Sequence, residues 1–182
     1  MKMDQVAGSG NDEFFTPLYA VKPIFKFLNY GATIWYPFDT PDSYYVKYGK
    51  SQGFNIISSH ISEGKDFFNM TPNKSKVNYI ISNPPYSRRQ EVLERLFKLD
   101  IPFAMLLGVV GIFESQKRFE MFRDNDFEVM YFNKRVSFFK DYKDQKPALN
   151  PPFSTGYFCH HILPKQIWFE EIDKNDCKME EN

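Results

Sequence analysis

The sequence predicts an α/β fold: a mainly parallel sheet with helices on both faces. Three observations lead there. Short β-branched or aromatic runs alternate with amphipathic segments along the chain. The run "VNYIIS" (77 to 82) is almost continuously apolar, as a strand buried on both faces must be. With 182 residues, 42% of them apolar, the chain suits one well-buried core rather than two domains.

Residues 1 to 13 read as a flexible arm, 14 to 169 as the domain, and 170 to 182 as an acidic tail, frayed beyond Trp168. "FFTPLYAVKPIFKFLNYG" (14 to 31) predicts a helix with Thr16 as N-cap and Pro17 in the first turn. Val21, Ile24, Phe25 and Leu28 recur at helical spacing, Pro23 is a kink site, and Gly31 ends the helix. "ATIWYPF" (32 to 38) is a strand, 42 to 53 a short helix closing at Gly53, and "FNIISSH" (54 to 60) a second strand. The strand at 77 to 82 is followed by the clearest helix, 88 to 100, with Val92, Leu93, Leu96, Phe97 and Leu99 near one face. A buried strand (102 to 110), a helix (114 to 125), a strand (127 to 133) and a late strand (156 to 164) complete the series.

Composition narrows the function classes. No apolar run approaches the ~18 residues of a membrane span. The start, "MKMDQVAGSGNDEFF", carries no apolar core of a secretory signal. Two cysteines, Cys159 and Cys177, make no disulfide framework, so a reduced, cytoplasmic protein is expected. Twenty-three basic and twenty-three acidic residues exclude a wholesale basic coat but leave room for a local basic face. In "CHH" (159 to 161), strand alternation puts Cys159 and His161 on one face and His160 on the other. Two ligands without a second cluster do not make a metal site, so core packing and no metal is the expectation.

The tetrapeptide Asn83-Pro84-Pro85-Tyr86 carries the chemistry. It follows a buried strand and precedes a helix, so it sits where open α/β sheets place their ligands. Each proline fixes φ and removes an N–H, and Asn83 is held extended by the proline after it. The rigid turn offers the Asn83 side-chain oxygen and the Pro84 carbonyl as two acceptors suited to an –NH2 group, with the Tyr86 ring as a stacking surface. Gripping the protons of an aromatic amino group draws its nitrogen toward tetrahedral geometry and frees a delocalised lone pair. A near copy, Asn150-Pro151-Pro152-Phe153, follows the polar "KDYKDQKPAL" and leads into a strand rather than out of one, so the first copy is preferred.

"NPPY" behind a strand resembles the catalytic motif of S-adenosylmethionine-dependent amino methyltransferases, above all the DNA N6-adenine class, and implies their three-layer, Rossmann-like methyltransferase fold. "FFTP" (14 to 17) looks like the family's F-x-T-P element, "YPFDT" (36 to 40) stands at its cofactor loop, and "GKDFF" (64 to 68) resembles its adenine-binding acidic loop. "RVSFF" and "PPFSTGYFCHHILP" are similar to small phage-encoded members, which implies a bacterial host cytoplasm. The resemblance implies Asn83, Pro84, Pro85 and Tyr86 as catalytic residues. It implies Phe15, Thr16, Pro17, Pro37, Phe38, Asp39, Ser43, His60, Asp66 and Phe67 around S-adenosylmethionine.

Two departures stand out. The loop after the first strand, "PFDTPDSYY", has no glycine. His60 replaces the acidic residue expected after the second strand, as either a ribose partner or a structural histidine. For DNA, Arg88 and Arg89 beyond Tyr86 are phosphate candidates. So are Lys134, Arg135 and Lys140 in 131 to 146, where five basic residues interleave with aromatics and Phe138 or Phe139 could pack near an extruded base. No separate recognition domain fits in this length, leaving target choice to that segment or to a protein partner. An RNA- or protein-directed amino methyltransferase, and a non-catalytic binding protein with a degenerate cofactor loop, are the alternatives.

Overall fold

A computed structural model describes residues 14–143 and 153–179 and the backbone of 147–149. The expected arm at 1–13, and Asn150 to Pro152 of the second tetrapeptide, lie outside the described residues.

The strands are β1 (Thr33–Tyr36), β2 (Asn55–Ser58), β3 (Tyr79–Ser82), β4 (Phe103–Gly108), β5 (Glu128–Phe132), β6 (Phe138–Phe139), β7 (Pro147–Leu149), β8 (Thr155–His160) and β9 (Ile167–Glu170). The helices are α1 (Leu18–Phe25), α2 (Tyr44–Ser51), α3 (Arg89–Leu99) and α4 (Gln116–Arg123). Seven strands form one sheet in the order β2-β1-β3-β4-β8-β5-β9, while β6 and β7 pair as a separate ribbon. Only β8 runs against its neighbours β4 and β5; every other pairing in the seven-stranded sheet is parallel.

Strand alternation sorts the core into two layers. Ile34, Tyr36, Tyr79, Ile81, Leu106, Tyr157 and Cys159 face α1 and α2. Trp35, Ile80, Phe103, Met105, Leu107 and Phe158 face α3 and α4. The chain therefore has the predicted three-layer α/β fold, a mainly parallel sheet with helices on both faces. On α3, Val92, Leu93 and Leu96 are fully buried, each contributing about 1.5–3 kcal/mol of apolar burial. Gly156 is required where β8 meets β5: a Cβ there would stand 2.4 Å from the Met130 carbonyl oxygen.

Four expectations are corrected. The first helix begins at Leu18, not Phe14, and Thr16 does not cap it. Pro17 takes the N-cap position in extended backbone (φ −68°, ψ 155°), and a residue before proline is disfavoured from helix. The late strand stops at His160. His161 turns left-handed (φ 55°) and exposes its ring, so it does not share a face with buried Cys159. His160 is buried against Phe103, and its Nδ1 lies 2.6 Å from the Asp126 carbonyl oxygen. The chain beyond Trp168 does not fray up to Met179. It completes β9, buries Ile172, and returns to α1 through Leu18 N–H donating to the Cys177 carbonyl and a Lys22–Asp176 ion pair of 2.6 Å. Finally, Phe138 and Phe139, the candidates to pack near an extruded base, are not open to one here, because both rings are buried in β6.

Candidate functional site

Because β2, β1 and β3 are adjacent and parallel, the segments leaving their carboxyl ends converge on one sheet edge. A cavity of about 480 Å³ opens there. The loop after β1 supplies Pro37, Phe38, Asp39, Thr40 and Ser43. The segment after β2 supplies His60, Ile61, Ser62, Asp66, Phe67 and Phe68, and the turn after β3 supplies Asn83, Pro85 and Arg88. Phe14, Phe15, Thr16 and the distant Tyr142 close the remaining wall.

The loop after β1 is held by hydrogen bonds in place of the glycines that its position leads one to expect. Asp39 N–H donates to the Ser59 carbonyl at 3.2 Å, joining this loop to the end of β2. The Asp39 carboxylate accepts from Ser43 Oγ at 2.5 Å through one oxygen and from Ser82 Oγ through the other. Ser43 also caps α2 by accepting from Tyr45 N–H at 3.1 Å. One carboxylate thus ties together the cofactor-loop candidate, the start of α2 and the last residue of β3. Burial pushes the Asp39 carboxyl up to about 6. The serine hydrogen bonds and nearby His60 pull the other way.

The turn after β3 is built differently. Asn83 Nδ2 donates to the Phe14 carbonyl at 2.9 Å, which fixes the amide orientation. Its Oδ1 is buried and has no hydrogen-bond partner among the described residues. Pro84 is buried, Pro85 enters a single 3-10 turn (Tyr86–Arg88), and Tyr86 is 9% exposed. Three rings surround Tyr86: Phe14 at 6.1 Å, Phe138 at 6.4 Å and Phe153 at 5.9 Å between centroids. The aromatic residue of the second tetrapeptide therefore packs on the aromatic residue of the first. Phe15 pairs through its backbone with Phe139, so the N-terminal segment is strapped across the cavity next to the ribbon.

Of the residues expected around a cofactor, Phe15, Thr16, Pro37, Phe38, Asp39, Ser43, His60, Asp66 and Phe67 line this cavity; Pro17 does not. His60 Nδ1 accepts from Ser62 N–H at 3.2 Å and caps the 3-10 turn Ile61–Glu63. Asp66 caps the next turn, accepting from Phe68 N–H at 3.0 Å and Asn69 Nδ2 at 3.3 Å. Asn83 and Pro85 line the cavity, while Pro84 and Tyr86 lie behind it. Arg88 sits 3.8 Å above the Phe68 ring and pairs with Glu91 at 2.6 Å. Lys134, Arg135 and Lys140 are exposed but outside the cavity, Arg89 is half-buried, and Phe138 is only 1% exposed.

Sequence reasoning missed Tyr142. Its ring packs at a steep angle against Phe15 (4.7 Å between centroids) and Tyr44 (4.9 Å). Burial and the neighbouring Asp39 charge hold its hydroxyl above the usual tyrosine range. The only signal was one tyrosine inside a charged segment, and nothing local marks it as half-buried in a cavity wall. Among the described residues, no three His, Cys, Asp or Glu side chains converge as a metal site, and no helix is long and apolar enough to cross a membrane.

No protein-family model matches the chain, and no curated protein sequence matches it. Its fold is similar to that of a solved structure described as a modification subunit of a type I restriction enzyme from Vibrio vulnificus YJ016. The TM-score is 0.58 at 11% identity, over 93% of this chain and 49% of that one. The chain thus spans about half the length of a structure whose fold it shares.

Proposed function

We propose that the chain is an S-adenosylmethionine-dependent methyltransferase acting on the N6 amino group of adenine in DNA. The observation that carries this reading is the Asn83 Oδ1 atom, buried in a cavity wall without a hydrogen-bond partner among the described residues. A buried, unmet acceptor costs about 1–3 kcal/mol, and a bound amino group would supply its donor.

The residues present fit the cofactor. The cavity lies within the roughly 300–1,000 Å³ typical of such sites, and Phe38, Phe67 and Phe68 give it aromatic walls for a purine. Asp39 places a buried negative charge there, which suits a cation. When bound, S-adenosylmethionine supplies an electrophilic methyl group on a sulfonium centre. Asn83 Oδ1 and the Pro84 carbonyl accept hydrogen bonds from the target amino group and localise its lone pair. Pro84 and Pro85 hold those acceptors rigid, so less order must be gained on binding. Phe14 lines the cavity and would offer the target base an aromatic face, with Tyr86, Phe138 and Phe153 packed behind it.

Likeness to a restriction-enzyme modification subunit supports DNA as the substrate class, and a partner chain is one source of target recognition. Exposed Lys134, Arg135 and Lys140, with Arg88 and Arg89, are the phosphate contacts in this reading. The test is DNA from cells expressing the protein, digested with a panel of methylation-sensitive restriction enzymes. Protection that disappears with Asn83→Ala supports the proposal. Digestion identical to that from cells without the protein contradicts it.

A further inference from the structure

Among the described residues the seven-stranded sheet ends at β9, which pairs with β5 on one side only. The carbonyls of Gln166 and Glu170 accept from Val129 and Asn133 of the β5 side, so the even-numbered residues turn their backbone groups inward. Backbone direction alternates along a parallel strand, which turns the N–H and C=O of Ile167 and Phe169 outward. Their side chains are exposed as well, by 57% and 78%. The opposite face of β9 is covered, with Trp168 against Phe27 and Glu170 paired with Lys26. An apolar edge strand with neither proline nor a bulge is an open template for a further strand.

The sequence along this edge is self-complementary. Residues 165, 167, 169 and 171 are Lys, Ile, Phe and Glu, and all four are exposed; Ile167 and Phe169 lie within β9, whereas Lys165 and Glu171 flank it, with the Lys165 ammonium 5.5 Å from the centre of the Trp168 ring. Antiparallel pairing with a second copy, two-fold about Trp168, sets Ile167 opposite Phe169 and Lys165 opposite Glu171, each twice. The outward-facing residues then form the hydrogen-bonded pairs of the new ladder, as their backbone direction requires. A shift of two residues either way breaks the match. One shift sets Lys165 opposite Phe169, the other sets Ile167 opposite Glu171. Apolar pairs and opposite charges coincide in one register only.

We propose that β9 is a homodimerisation edge, pairing antiparallel with β9 of a second copy to make one continuous sheet across an isologous interface. A strand this short makes a small contact, so association is concentration-dependent rather than obligate.

Sedimentation equilibrium over a concentration series tests this. The wild type self-associates to a dimer. Phe169→Asp weakens association by about 30-fold or more while the circular dichroism spectrum stays unchanged, because the residue is exposed. Lys165→Glu alone and Glu171→Lys alone each weaken it by about 5- to 10-fold through like-charge contacts. An equal mixture of those two variants associates about as well as wild type, because each glutamate then meets a lysine across the axis. A wild type that stays monomeric at every concentration, a dimer indifferent to Phe169→Asp, or a mixture no stronger than its components would overturn the proposal.

Discussion

Two loops leave adjacent parallel strands, line the same cavity and are built on opposite plans. The turn after β3 is stiffened by covalent geometry, through Pro84 and Pro85, and leaves one buried acceptor, Asn83 Oδ1, without a hydrogen-bond partner among the described residues. The loop after β1 is stiffened by hydrogen bonds, and both oxygens of its carboxylate, Asp39, are occupied by serine hydroxyls. The contrast separates their roles. An unmet acceptor is available to a reacting group, whereas a satisfied carboxylate positions backbone and contributes charge. In this account the turn does the chemistry, and the loop does what glycines do elsewhere by holding its backbone against the neighbouring strand.

The largest expected effect breaks the first half of that contrast. Asn83→Ala lowers single-turnover methyl transfer by about 10²–10³-fold or more, the scale for losing one preorganised polar group, while cofactor affinity changes by only a few-fold. Paired titration calorimetry and turnover measurements check it; an affinity that collapses in step with the rate would merge the two roles.

Next comes the loop. Asp39→Ala leaves the Ser43 and Ser82 hydroxyls without their acceptor and uncouples α2 from β3, costing about 2–4 kcal/mol in urea unfolding. It also weakens cofactor binding. Full retention of both would mean that the carboxylate does not hold the loop.

A pH series sharpens the same point. The Asp39 carboxyl titrates near 3.8 in the unfolded chain and about 6 when folded. Between those values the folded state binds more protons, so this group's contribution to stability is full at low pH and falls as pH rises to 6. Asp39→Asn removes that dependence. The stability gap between wild type and variant should therefore be wider at pH 4.5 than at pH 7, by about 2 kcal/mol. A gap unchanged across that window would count against a buried, titrating Asp39.

The smallest effect lies at the rim. Arg88 is exposed and paired with Glu91, so Arg88→Ala shifts stability by less than about 0.5 kcal/mol. As a phosphate contact, its loss lowers the salt dependence of DNA binding by about one unit of slope. Filter binding across a salt series reads this, and an unchanged slope removes Arg88 from the interface.

The parallel half was largely legible in the sequence. Ile80 and Ile81 sit in an apolar run, Gly53 (φ 80°) lies just past α2 where a glycine is expected, and proline pairs announce a turn. The residues of the cavity wall from Phe38 to Asp66 came from a resemblance of motifs, and the gathering of strand ends on one edge of such a sheet is what brings them together. What stayed hidden depends on contacts distant in sequence. The Ser82 hydroxyl bonds a carboxylate 43 residues earlier, and Tyr142 reaches the cavity from beyond β6. β9 was concealed for a different reason. Its apolar residues Ile167 and Phe169 point outward, while Glu170 and Ile172 are buried, an inversion of the pattern that marks a strand.

The most direct test of the central claim is quantification of N6-methyl-2′-deoxyadenosine by mass spectrometry in nucleosides from DNA incubated with purified protein and S-adenosylmethionine carrying an isotopically labelled methyl group. The account predicts label at adenine N6 with wild type, and none above background with Asn83→Ala at undiminished cofactor binding. Label at that position with both proteins, or with neither while cofactor binds to both, would contradict it.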